Sequence, residues 1–286
     1  MTWIIYVLAA AAFISVAAVL AKMGTKKADT ALAAGLFTTV ILIGAFLLAR
    51  GSISISQIAS FGRNTIIFLI LAGLTTGAAI LCFFKALHTG EVSHVVPVVQ
   101  INTILVIIFG VVYWHRKLGI NSIIAIICCV GGIVVILVGN TKNWQWFGYA
   151  LLSAVFITAA SILESVWGKG ISSGVILFYK LIIAAILIWA VAVASGSGKK
   201  LRAISFLDGI YICLAGALVI LTNVFLSRSR ALAVDVNVLW IYRTNLFITM
   251  ILAAMILKEK ISGKKLIGAV IFIAGLEVLL LNRPLF

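Results

Sequence analysis

The sequence predicts an all-α polytopic membrane protein: ten transmembrane helices arranged as two inverted five-helix repeats. Three observations carry that expectation. Of 286 residues, 64% are hydrophobic and only 10% charged, and mean hydropathy is +1.28, well above any water-soluble domain of this size. The apolar runs each approach the twenty residues that cross about 30 Å of hydrocarbon, and they leave no room for a soluble domain. Sliding the chain by 143 positions aligns Trp3 with Trp146, Tyr6 with Tyr149, Phe13 with Phe156 and Ala17 with Ala160, and later Asn102 with Asn245, Lys117 with Lys260 and Gly132 with Gly275. Five spans per half is an odd number, so the second copy starts from the opposite membrane face. The halves are residues 1–141 and 142–286.

Taken in order, the spans fall at 2–22, 30–49, 65–87, 92–114, 121–139, 146–166, 173–195, 206–227, 236–257 and 265–282. The first begins at Thr2 without a basic leader or a cleavage site before Lys22, and reads as a retained helix. The longest connections, 50–57 and 195–200, are rich in Ser and Gly, as expected outside lipid. Gly73 and Gly77 in the third span allow a close helix approach. Strands are excluded because the runs are too long and do not alternate polar with apolar. Cys82, Cys128, Cys129 and Cys213 all sit inside spans without a CxxC pair, and read as packing residues. No metal site or cofactor is indicated.

The formal charge of +15 is spread through short loops rather than gathered in a stripe, which fits anionic lipid headgroups and not nucleic acid. Counted outside the spans, eight Lys and Arg lie on the face carrying the termini and twelve on the other, which by the positive-inside rule puts the termini outside.

The first half carries Ala21-Lys22-Met23-Gly24, then Leu71-Ala-Gly-Leu-Thr-Thr-Gly77, then Lys85-Ala-Leu-His-Thr-Gly-Glu-Val-Ser-His-Val-Val-Pro97. It closely resembles the EamA domain of the drug/metabolite transporter superfamily. The second half resembles a diverged copy, in Leu257-Lys-Glu259-Lys-Ile261 and in Gly268 to Gly275, where that family has a glutamate-containing turn and a glycine-bearing last helix. The resemblance implies ten helices around a central cavity, carriage of small organic solutes, often outward, and termini in the cytoplasm. Two departures stand out. Trp114-His-Arg116-Lys117 occupies the place of the turn glutamate in the first half, and Trp240 stands where Pro97 would recur, which suggests a distorted helix in one half only.

Charged residues at membrane depth are functional hypotheses by default. Glu164, Lys180, Asn223, Arg243 and Glu277 fall at one depth toward the terminal face, and the sequence predicts that they form a single polar cluster. Arg243 and Lys180 would bind a carboxylate or phosphate, with Glu164 or Glu277 taking an amine or a coupling proton; alternatively the charges form a gate, or merely lock helices together. Gln100 aligns with Arg243 and becomes a cavity candidate. Trp240 and Phe247 share a face with Arg243, and Tyr179 adjoins Lys180, so both an aromatic wall and interfacial anchoring are open. Trp3, Trp114, Trp144 and Trp146 read as interfacial anchors, His94 as a solvated loop histidine, and Asn102 and Asn245 as hydrogen-bonding glue between helices.

The expected function is therefore secondary transport of a small polar or zwitterionic, amino-acid-like metabolite by alternating access, in the export direction. The protein would work in the cell membrane as a monomer or homodimer. A flippase for a lipid-linked headgroup has the same signature. An intramembrane enzyme is disfavoured: there is no HExxH and no aspartate-rich motif, and Asp29, Asp208 and Asp235 lie far apart. No GxxxxGK[ST] loop is present for ATP.

Overall fold

In the computed structural model, which describes residues 2–26, 28–50, 62–113, 120–137, 144–168, 171–197, 204–233, 238 and 241–281, the described residues form helices and no strands. These are α1 (Thr2–Gly24), α2 (Thr30–Ala49), α3 (Arg63–Thr89), α4 (Val92–Val99), α5 (Ile101–Tyr113), α6 (Ile120–Leu137), α7 (Gln145–Trp167), α8 (Ser173–Ala194), α9 (Phe206–Leu232), α10 (Asn245–Leu257) and α11 (Gly263–Leu281). Seven segments are long and apolar enough to cross a membrane: α1, α2, α3, Val92–Gly110, α7, α8 and α9; shorter apolar helices add to them. With helices long and apolar enough to cross a membrane and large apolar side chains such as Ile5, Ile120 and Val193 facing outward, the chain is an integral multi-pass membrane protein.

Small residues set the packing. A Cβ added to Gly73 would lie 2.9 Å from the Lys180 carbonyl and collide with Ile183, so α3 and α8 touch backbone to backbone. Gly216 does the same for α9 and α2, against Val40 and the Phe37 carbonyl. Helices α6 and α11 meet through Gly132, Gly268 and Gly275: a Cβ on Gly132 would stand 2.6 Å from the Gly268 carbonyl, and one on Gly275 2.8 Å from the Ala125 carbonyl. Some hydroxyls inside helices also reach carbonyls across interfaces: Ser153 donates to Ala79 (3.0 Å) and Thr222 approaches Ala10 (3.5 Å).

Two crossings are interrupted. Pro97 cannot supply an N–H to its own helix, and the chain turns at Gln100 between α4 and α5. The crossing that ends in α10 is also interrupted, by a turn at Arg243 and Thr244, although no proline stands there. The expectation that only the proline-bearing half is distorted is thus corrected. Hydroxyls from a neighbouring helix satisfy the backbone next to each break. Thr158 Oγ1 lies 3.3 Å from the Asn102 carbonyl, and Ser15 Oγ lies 2.9 Å from the Asn245 carbonyl. The asparagines therefore join helices through their backbone carbonyls, with the hydroxyl coming from the partner.

Candidate functional site

Helices α1, α2, α3, α4, α9 and α10 line a cavity of about 170 Å³. Its wall is mostly Ala, Val, Ile and Phe, including Ala17, Ala21, Phe37 and Val96; Gln100, Asn245 and Thr249 are its polar groups. Asn245 is 4% exposed, and its Oδ1 has no hydrogen-bond partner. A buried acceptor left unpaired costs about 1–3 kcal/mol, which marks it as a place for a donor carried by a ligand or by water.

Arg243 lies at the interrupted turn, beside this cavity. One guanidinium nitrogen donates to Gln100 Oε1 and another to Thr103 Oγ1 at 2.8 Å. Its Nε is buried without a partner. Both partners are neutral, and among the described residues no acid pairs with this cation. A buried guanidinium held by an amide and a hydroxyl is oriented but not neutralised.

The charged residues that the sequence groups together separate into sets. Lys180 Nζ forms an ion pair with Glu164 Oε1, joining α8 to the end of α7. Arg243 bonds with Gln100 and Thr103, and no bond links it to Lys180 or Glu164 among the described residues. Asn223 donates to the Val219 carbonyl of its own helix at 2.9 Å; it is exposed, one turn beyond the cavity residue Val219. Glu277 is half-buried on α11 and is bonded to neither cation. Tyr179 packs edge-on against Phe178, 5.3 Å between ring centres, and joins the Phe68–Ile176 cluster rather than the cavity wall. Trp240 lies outside the described residues. Thr103, which completes the Arg243 site, carries no mark in the sequence beyond its place one turn after Gln100.

A second polar group, at the opposite end of α4 from the Arg243–Gln100 contact, is poorly anticipated by sequence. His94 is 3% exposed, not a solvated loop residue: its Nδ1 lies 3.1 Å from Glu91 and its ring leans on Trp146, 5.6 Å between centres. Trp146 is itself 3% exposed, wedged under Gly90, and so is no interfacial anchor. Trp144, over half exposed, keeps that possibility. Around them Lys265 Nζ donates to Glu91 (2.7 Å), to Ser93 Oγ (3.3 Å) and to the Lys260 carbonyl (2.9 Å). Lys22 Nζ donates to the Leu87 carbonyl and to that of Gly90 (2.9 Å), at the C-terminal end of α3, where a cation is favoured. The hydrogen bond from His94, with Lys265 beside it, outweighs burial and holds the Glu91 carboxyl at about 2, below its ordinary value.

A multi-pass helical protein with an interior cavity and an oriented cation beside it has the parts that a membrane transporter uses. The model of the EamA-like transporter family matches residues 1–138. A protein of Sinorhizobium sp., named "Uncharacterized transporter in cobO 3'region", is 32% identical over 139 residues, which are 48% of this chain and 97% of that relative. A solved structure described as "Crystal structure of protein" superposes with a TM-score of 0.62 over 96% of both chains at 14% identity, a likeness of fold. The chain belongs to the EamA-like transporter family, and its activity is transport rather than catalysis.

Proposed function

We propose that the chain is a secondary transporter of ten crossings in two inverted halves, residues 1–141 and 142–286. It exports a small amphipathic zwitterion, amino-acid-like in chemistry, across the cell membrane by alternating access. The inverted arrangement is supported by contacts that pair up at the 143-residue offset. Gly73 against Ile183 corresponds to Gly216 against Val40, Ser153 with Ala79 to Thr222 with Ala10, and Thr158 with Asn102 to Ser15 with Asn245. Equivalent residues can touch only near the axis relating two halves, and two such pairs do: Cys129 with Phe272, and Gln100 with Arg243.

The observation that carries the reading is this last contact. It puts an unneutralised guanidinium between the two broken helices, beside a mostly apolar cavity that also contains the unpaired Asn245 acceptor. A carboxylate answers Arg243 and Gln100, an ammonium answers Asn245, and an apolar body fills the rest. Asn223 lies on the approach, and the Glu164–Lys180 pair closes the terminal face, with Glu164 or Glu277 taking the coupling proton.

Uptake of labelled amino acids into proteoliposomes tests this. Arg243→Gln should lower kcat/KM for uptake about ten- to a hundredfold in protein that remains folded, and unchanged kinetics would remove Arg243 from the site. Glu164→Gln or Glu277→Gln should flatten the pH profile of uptake if that carboxyl carries the proton.

A further inference from the structure

Helix α4 is eight residues long and forms part of the wall between the cavity and the face opposite the termini, contributing Val96, with Val99 and Gln100 at its end. The first N–H groups of any helix lack intrahelical acceptors. Glu91, the residue at the N-cap of α4, makes no side-chain cap. The cap comes from the other half of the chain: Glu259 Oε1 accepts from Val92 N–H at 2.8 Å, and Oε2 accepts from Ser93 N–H at 3.0 Å. A carboxylate with both oxygens on the positive end of a helix makes a strong, directional contact.

The backbone is bent to allow it. Lys258, just before Glu259, sits in the left-handed region at φ 58°, the single non-glycine residue to do so among those described. That conformation is unfavourable for a lysine, and it turns the chain so that Glu259 faces α4. Lys265 adds a second link, from α11 to Glu91 and Ser93. The start of α4 is thus tied to the second half at three adjacent residues, Glu91 to Ser93, while its far end is held by Arg243 through Gln100. Pro97 and the turn at Gln100 mark α4 off from α5 as a short unit of its own.

The equivalent positions in the other copy cannot build the same contact. At the 143-residue offset, Arg116 stands for Glu259, Ser122 for Lys265 and Val234 for Glu91. We infer that Glu259 is a positioning residue for transport: its double cap on α4 locks the cavity shut toward the face opposite the termini, and that lock must release in each cycle. The inference rests on the alternating-access reading above and specifies which contact governs one of its two gates.

Thiol labelling reads closure without any solute. In a chain with Cys82, Cys128, Cys129 and Cys213 replaced, Ala21→Cys places a reporter on the cavity wall, and Ala72→Cys a control in the separate α3–α8 cluster. Both are exposed to an impermeant methanethiosulfonate in sealed vesicles of each orientation. Adding Glu259→Gln, whose amide has one acceptor for two N–H groups, should speed labelling of Ala21→Cys from the locked face by about tenfold, a loss of about 1.4 kcal/mol of closure. The control should not change, and Glu259→Asp should restore slow labelling. Equal rates with and without Glu259→Gln overturn the lock, as does a parallel rise at Ala72→Cys, which would mean general loosening. Faster Ala21→Cys labelling together with no uptake of amino acids by the parent protein supports the lock and rejects the proposed solute. Normal parental uptake with unaltered labelling does the reverse.

Discussion

The two ends of the cavity are held by different chemistry. Toward the face opposite the termini, three side-chain charges are answered from the other half of the chain or from a helix end: Glu259 by the α4 N–H groups, Lys265 by Glu91, Lys22 by the carbonyls that end α3. Toward the terminal face, Lys180 and Glu164 answer each other within the second half, while Arg243 is met by neutral groups and retains a bare Nε. The difference teaches where binding energy is still available. A satisfied network stabilises one conformation, whereas an oriented but unneutralised cation reserves its strongest interaction for something that arrives.

The largest expected effect comes from removing that reserve. Hydrogen bonds to a charged group are worth about 1.5–3 kcal/mol, so Arg243→Gln should lower kcat/KM for uptake about ten- to a hundredfold, with thermal unfolding in detergent little changed. Gln100→Glu sharpens the contrast further. It supplies the missing anion from inside the protein, and uptake at neutral pH should fall while the melting temperature rises; a fall in both would mean that Gln100 is structural.

Packing gives the next effect. A Cβ at Gly132 meets backbone atoms that cannot swing away, so Gly132→Ala should cost about 1–3 kcal/mol of stability, whereas Gly131→Ala, with nothing within 4 Å, should not destabilise. Denaturant titration of the two variants separates them. At the terminal face, a double-mutant cycle of Lys180→Met with Glu164→Gln should return a coupling of about 0.5–1 kcal/mol, because the pair is only partly buried.

The smallest effect is at Glu91, nearly half exposed. Its carboxyl is held at about 2 against an ordinary 4.5, so its contribution to stability is complete above about 4.5 and fades as pH falls toward 2. Melting curves from pH 5 to pH 2.5 should therefore drop less steeply for Glu91→Gln than for the parent. Parallel slopes would place the acid sensitivity elsewhere.

How much of this could be read in advance differs from residue to residue. The 143-residue offset pointed to Gln100 and Arg243 as counterparts, and the structure joins them; the offset says which residues correspond, though not that they touch. Depth along a span put Glu164 with Lys180 correctly and added Arg243 to them, because depth does not specify angle around the bundle. The break near Arg243 was missed because proline is one cause of a turn and tertiary demand is another. His94 and Trp146 looked interfacial because both stand at span ends, yet in the folded chain each covers the other.

By itself the sequence determined the membrane as solvent, the helices as the elements, and the family, since hydrophobic run length and repeated residues are local properties that survive in one dimension. Only the tertiary structure decided which charges were answered and which were left waiting. Glu259 finds its donors 166 and 167 positions away in the chain. No pattern of spacing encodes that meeting, because it depends on how two halves cross in space.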